Sequence, residues 1–118
     1  DEHLVLAEKY KKPIVMEEFG FPRDGFQFTK ESSTTARDEF YRYVFDLIRQ
    51  EREQGGLFAG CNFWGWGGFA NHTPGHTYWE AWDDYMGDPA QEQQGLNSVF
   101  ASDSTTIAII KSENEKLK

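Results

Sequence analysis

Two adjacent carboxylates, Glu17 and Glu18, close the apolar run Ile14-Val15-Met16 and stand directly before Phe19-Gly20. A short unbroken apolar run is what a strand buried on both faces shows, and in parallel α/β architectures reactive groups emerge at the carboxyl ends of such strands. A carboxylate placed there suits nucleophilic or general acid and base work, and it equally suits accepting hydrogen bonds from the next loop. Side chains alternate along a strand, so Glu17 and Glu18 are expected to face opposite sides.

The segment NFWGWGGF, residues 62–69, ends a second apolar run and brings Trp64 and Trp66 together with Phe63 and Phe69. Flat aromatic faces stack on the C–H faces of pyranose rings while carboxylates and amides take the hydroxyls; the same residues also serve as a tryptophan-capped core. Arg23 and Asp24, in the loop after the carboxylate pair, are candidates for substrate contact or for ion pairs at its rim. Trp79 and Trp82 are three apart, so one is expected to pack under its loop and the other to face a cleft. His72, His76 and Glu80 have the four-residue spacing of zinc ligands on a helix, but Thr73, Pro74 and Gly75 break any such helix, and no metal or other cofactor is expected. Glu80, Asp83, Asp84, Asp88 and Glu92 read mainly as solvated loop charge.

The elements that must position these groups follow from periodicity and punctuation. Residues 1–12 run from acidic through apolar to lysine-rich, the charge order that suits a short helix dipole, and Pro13 stops them. A strand is expected over 13–19, then a loop marked by Gly20, Pro22 and Gly25. Phe40, Val44, Leu47 and Ile48 fall on one face of a helix from 34 or 35 to 54, with N-caps offered by Ser32, Ser33, Thr34 and Thr35 and an end at Gly55-Gly56. A second strand is expected over 57–64, a long irregular stretch over 65–97, and a last helix over 105–117, capped by Ser102, Asp103 or Ser104, with Ile107, Ile110 and Leu117 inward. Helix, strand, helix, strand, loop, helix is the alternation of a parallel sheet. Two parallel strands cannot close a barrel, so pairing with strands outside the chain is the simplest way to satisfy their edges.

Bulk properties narrow the partners. With 12 Lys and Arg against 20 Asp and Glu, the formal net charge is -8, which argues against nucleic acid or an anionic membrane surface as partner. No apolar run approaches the roughly 20 residues that span a bilayer. Cys61 is the lone cysteine, so the chain forms no internal disulfide, and it reads as a small buried hydrophobe.

KPIVMEEFGFPRDG at residues 12–25 and GCNFWGWGG at 60–68 together resemble strands seven and eight of glycoside hydrolase family 5 enzymes, most closely the endo-β-1,4-mannanases. The closing stretch GDPAQEQQGLNSVFASDSTTIAIIK, residues 87–111, resembles the C-terminal end of the same enzymes. The resemblance implies that residues 1–118 are the C-terminal portion, about strands seven and eight with their helices, of one (β/α)8 catalytic domain of roughly 250 residues. It implies Glu18 as nucleophile and Trp64 as platform for the sugar being cleaved; Trp66, Arg23 and Trp82 are taken from their types and positions as further substrate contacts. It also implies β-mannan or a related β-1,4-linked polysaccharide as substrate, a secreted setting, and an N-terminal part of the barrel that supplies the acid/base carboxylate. That group follows an asparagine in the family; the only Asn-Glu pair here, Asn114-Glu115, falls in the last helix and is assigned to solvent. The isolated chain is therefore expected to be inactive. A β-1,4-glucanase of the same family and a non-catalytic carbohydrate-binding fragment are the alternatives.

Overall fold

Pro13 lacks the N–H that would continue a helix, and the chain on either side of it takes two different forms. In a computed structural model describing residues 2–118, helix α1 (Glu2–Tyr10) precedes it and strand β1 (Ile14–Phe19) follows it. Lys11, at φ 51°, ends α1 in the left-handed conformation and lets the Lys12 amide reach back to the Ala7 carbonyl at 3.1 Å. A single 3-10 turn (Asp24–Phe26) interrupts the next loop, and helix α2 (Thr35–Glu53) carries the chain back to strand β2 (Phe58–Phe63). Gly55, at φ 75°, supplies the left-handed residue after α2, and the Gly56 amide closes on the Glu51 carbonyl at 2.7 Å. Two short strands, β3 (Trp66–Gly68) and β4 (Val99–Phe100), bracket the long loop, and helix α3 (Ser104–Lys116) ends the fold.

β1 and β2 pair in parallel, as the alternation requires, and β3 and β4 form a separate parallel pair that periodicity did not indicate. The buried face of α2 is made by Tyr41, Val44, Phe45 and Ile48, one step round from the expected stripe, and Phe40 and Leu47 pack at its margin. These residues, with Phe19, Phe58, Val99 and Ile109, form the core, so both long helices lie on one side of the two-stranded sheet. Ile107, Ile110 and Leu117 pack against the core as expected, and Ile109 is the buried apolar residue of α3. Asn114 and Glu115 are exposed, in keeping with their assignment to solvent.

Among the described residues, nothing covers the opposite face of the sheet. Val15 is 53% exposed, and Glu17, Glu18, Ala59 and Asn62 are exposed with it. A groove of about 420 Å³ lined by Leu4, Ile14, Val15, Met16 and Phe58 opens beside β1, and another, lined by Phe19, Phe45, Cys61 and Phe63, opens beside β2. The molecule is a slab of 50 × 25 × 23 Å whose radius of gyration, 16.3 Å, exceeds the roughly 13.5 Å of a compact domain of this length.

The expected alternation at the carboxylate pair does not hold. Met16 lies opposite Cys61 and Phe19 opposite Phe63, so β1 has two residues where β2 has only Asn62. Met16 and Phe19 both pack on the helix-side core although they are three apart. The extra residue absorbs the half-turn, and Glu17 and Glu18 are both left exposed on the uncovered part of the strand.

Open strand edges and a bare face predict that the 118-residue chain, prepared alone, associates with itself. Sedimentation velocity over a range of concentrations should show mass growing with concentration. A persistent monomer with one cooperative melt would contradict this.

Candidate active site

β1 and β2 run in the same direction, so the loops after Phe19 and Phe63 leave from one end of the sheet. Their ends are tied together there: the Trp64 amide donates to the Phe19 carbonyl at 2.6 Å. Gly20 must be glycine because a Cβ on it would lie 2.9 Å from the Trp64 carbonyl oxygen. The EEFG motif and the strand-end tryptophan are thus in direct backbone contact. Glu18 lies one residue before this contact, and no hydrogen bond or ion pair engages its carboxylate among the described residues. Trp64 is half-buried and its peptide bond to Gly65 is cis. Trp66, in β3, is 56% exposed, and its indole nitrogen would lie 3.2 Å from a Cβ on Gly68.

Arg23 is not the substrate contact that its position in the loop suggested. It is 1% exposed, and all five of its guanidinium N–H groups are used within the fold. Nε donates to the Gly95 carbonyl, Nη1 to the Ser32 carbonyl and Asp103 Oδ1, and Nη2 to the Ser98 carbonyl and Asp103 Oδ2. The Asp103 pair is bidentate, at 2.9 and 2.5 Å, the geometry that a planar guanidinium fork matches best. Arg37, fully buried on α2, lies parallel in role: it donates to the carbonyls of Phe21, Ser98 and Leu96 at 2.8 to 3.0 Å. Its Nη1 is 3.6 Å from Asp103 Oδ2. Burial, followed by the adjacent Arg23 charge, lowers the pKa of Arg37 from its ordinary value. Breaking such a buried pair by removing one partner costs about 3–5 kcal/mol, because it strands the other charge.

Asp24 also has a structural task in place of a rim contact. Its carboxylate accepts the Thr35 and Ala36 amides at 2.9 and 3.0 Å and the Ser33 hydroxyl at 2.6 Å, capping α2 from outside the helix. These bonds, the Ser33 hydroxyl foremost, hold its carboxyl well below the usual range. Neither Thr34 before α2 nor Asp103 before α3 makes a side-chain cap bond.

The loop between β3 and β4 has its own internal frame. Asp88, read as solvated charge, is fully buried; it accepts the Gly95 and Asn97 amides at 2.8 and 3.1 Å and contacts the Ser98 hydroxyl. The Gln94 side-chain amide binds the carbonyls of Asp88, Pro89 and Glu92. His72 and His76 have different partners: His72 Nε2 is 2.7 Å from the Gln94 carbonyl, and His76 Nδ1 is 2.9 Å from Asp83 Oδ2. Cys61 is half-buried, and burial pushes its thiol up to about 11, which leaves it un-ionised near neutral pH.

The family described as GH family 5 beta-mannosidase-like matches the chain over residues 1–118. Among solved structures, the chain is similar to a glycoside hydrolase family 5 mannosidase from Rhizomucor miehei, at 32% identity and a TM-score of 0.83 over 98% of this chain and 29% of that one. A glutamate-to-alanine variant of a mannosidase so named gives 31% identity and a TM-score of 0.83, with the same coverage of both chains. A second such variant, in complex with mannosyl-fructose, gives 29% identity and a TM-score of 0.80, again over 98% of this chain and 29% of that one. No curated relative matches. The chain therefore spans about 29% of the length of the solved structures it resembles, as part of a barrel would.

The His76–Asp83 pair yields a titration that can be measured. Asp83 raises the pKa of His76 above its ordinary 6.5, and Asp83 is held at about 2 by the Thr73 hydroxyl and His76. A raised histidine stabilises fully below about pH 6.5 and loses that contribution as pH rises through its folded pKa; a depressed aspartate does so above about 3.8 and loses it as pH falls toward 2. The ion pair is therefore at full strength between about pH 4 and 6.5. An NMR titration should place His76 above 6.5 and return it toward 6.5 in Asp83→Asn; an unshifted His76 would contradict the pairing.

Proposed function

The chain belongs to the GH family 5 beta-mannosidase-like proteins, and from that premise we propose that it forms part of a retaining glycoside hydrolase that cleaves internal bonds of β-1,4-mannan, with Glu18 as nucleophile. The observation that carries this is the unengaged carboxylate of Glu18 at the exposed carboxyl end of β1, one residue from the backbone contact between Phe19 and Trp64. Asp24 and Asp88 each have most of their carboxylate lone pairs taken by bonds within the fold; Glu18 has both oxygens free among the described residues.

In the reaction one Glu18 oxygen bonds to the anomeric carbon as the glycosidic C–O bond breaks. The departing oxygen takes a proton from a second carboxylic acid roughly 5–5.5 Å away, and that group, now a base, draws a proton from the water that releases the sugar. Glu17 shares the exposed stretch of β1, but as a chain neighbour on the same strand it cannot address the bond from the opposing side. The second carboxylate is assigned to the rest of the barrel, whose strands would fill the grooves beside β1 and β2 and cover the bare face. Trp64 and Trp66 supply faces for sugar stacking. Because a polysaccharide does not cross a membrane, the reading places the enzyme outside the cytoplasm.

One observation favours a second reading, cleavage from the chain end: the similar solved structures are named mannosidases, and one holds a two-sugar ligand. The products separate the two, since internal cleavage of mannan lowers viscosity before free mannose accumulates. In the complete protein, Glu18→Gln should reduce mannan hydrolysis at least about 10³-fold, with carboxymethylcellulose a poor substrate for the unaltered enzyme. Normal turnover in Glu18→Gln would refute the nucleophile assignment.

A further inference from the structure

The one large side chain of the long loop that packing leaves wholly unused is Trp82, which is 100% exposed. It sits at the tip of a tight turn, in which the Asp83 amide donates to the Glu80 carbonyl at 3.1 Å. Its φ is +80°, the value of the third residue of a type II turn, where glycine or asparagine is the usual occupant. A bulky residue held there costs free energy without packing in return, and such an outlier points toward function.

The turn is fixed from several sides. The Asp83 carboxylate accepts the Glu80 amide at 2.9 Å and pairs with His76, while the Trp79 indole donates to the Asp83 carbonyl at 3.2 Å. The Thr77 carbonyl takes the Gln94 amide at 2.9 Å, which ties this stretch to the frame built around Asp88. Trp82 is therefore an exposed ring on a pinned support.

The charge around it selects the ligand class. No lysine or arginine occurs between Arg52 and Lys111, whereas Glu80, Asp83, Asp84 and Glu92 lie in the loop. The cations that do reach the loop are engaged within it, Lys30 by the Ala70 carbonyl and Asn71 and His76 by Asp83, so the local charge disfavours an anionic polymer. A neutral polyol fits, with a flat C–H face for the indole and hydroxyls for the Glu80 carboxylate, which is 63% exposed.

We propose that Trp82 is a second sugar platform, separate from Trp64, that stacks on a pyranose ring of the glycan beyond the residues being cleaved, with the Asp83 turn as its positioning device. This rests on the glycoside hydrolase reading and adds an outer subsite to it. In the complete protein, Trp82→Gly and Trp82→Ala should weaken mannohexaose binding about 5- to 10-fold, with a smaller effect on mannobiose, and Trp82→Phe should restore most of the loss. Mannohexaose affinity should be the same at low and high salt, as for a neutral ligand. Trp82→Gly should also raise Tm, because glycine suits φ +80° and no packing is lost.

A fall in Tm for Trp82→Gly would overturn the proposal, since it would mean that another part of the barrel covers the ring. Unchanged mannohexaose affinity, or equal losses for both oligosaccharides, would also overturn it. If Glu18→Gln kept full turnover while the Trp82 variants still lost mannohexaose affinity, the nucleophile assignment would fall and this platform would stand.

Discussion

Two buried guanidiniums sharing the carboxylate of Asp103 hold the working end of this fold together. Two short parallel strands, covered on one side only, cannot fix the loops that leave them. Arg23 and Arg37 do so by bonding to the main-chain carbonyls of Phe21, Ser32, Gly95, Leu96 and Ser98, which lie on the loop after β1, the lead-in to α2 and the lead-in to β4. Asp103 supplies the compensating charge and also accepts the Phe100 amide at 2.8 Å, which joins α3 to the same knot. Two cations at 1% exposure or less would be untenable without it.

With the loops fixed in this way, the strand ends are free to present chemistry. The Phe19–Trp64 hydrogen bond and the close approach of Gly20 to the Trp64 carbonyl set the carboxylate strand and the aromatic strand against each other. Polar groups nearby divide into those consumed by the fold, such as Arg23, Asp24 and Asp88, and those left unspent, Glu17 and Glu18 among them. That division separates support from site more sharply than residue type does, because Asp24 and Glu18 are both loop-proximal carboxylates.

The elements were legible in the sequence because their signals are local. Pro13, the Gly55-Gly56 pair and the spacing of Val44 and Ile48 each act within a turn or two of chain, and the observed helices and strands agree with them to within a residue or two. What escaped depends on distant partners. Arg23 reads as an exposed loop cation until Asp103 is brought beside it, and Asp24 reads as a rim charge until the start of α2 arrives over it. The β3–β4 pair is too short to carry a period, and Asp88 is hidden among acidic residues that do face solvent. The irregularity at Glu17-Glu18 had a different cause: alternation was the right rule, broken by one residue more in β1 than β2 has to oppose it.

That irregularity makes Glu17 and Glu18 rivals on one exposed stretch, and the account depends on the reaction passing through Glu18. A 2-deoxy-2-fluoro-mannosyl fluoride slows release of the glycosyl intermediate, and fragmentation mass spectrometry of the labelled peptide locates the ester. The account predicts a single fluoromannosyl adduct on Glu18 of the complete protein. An adduct on Glu17 or on a residue outside β1 would contradict it.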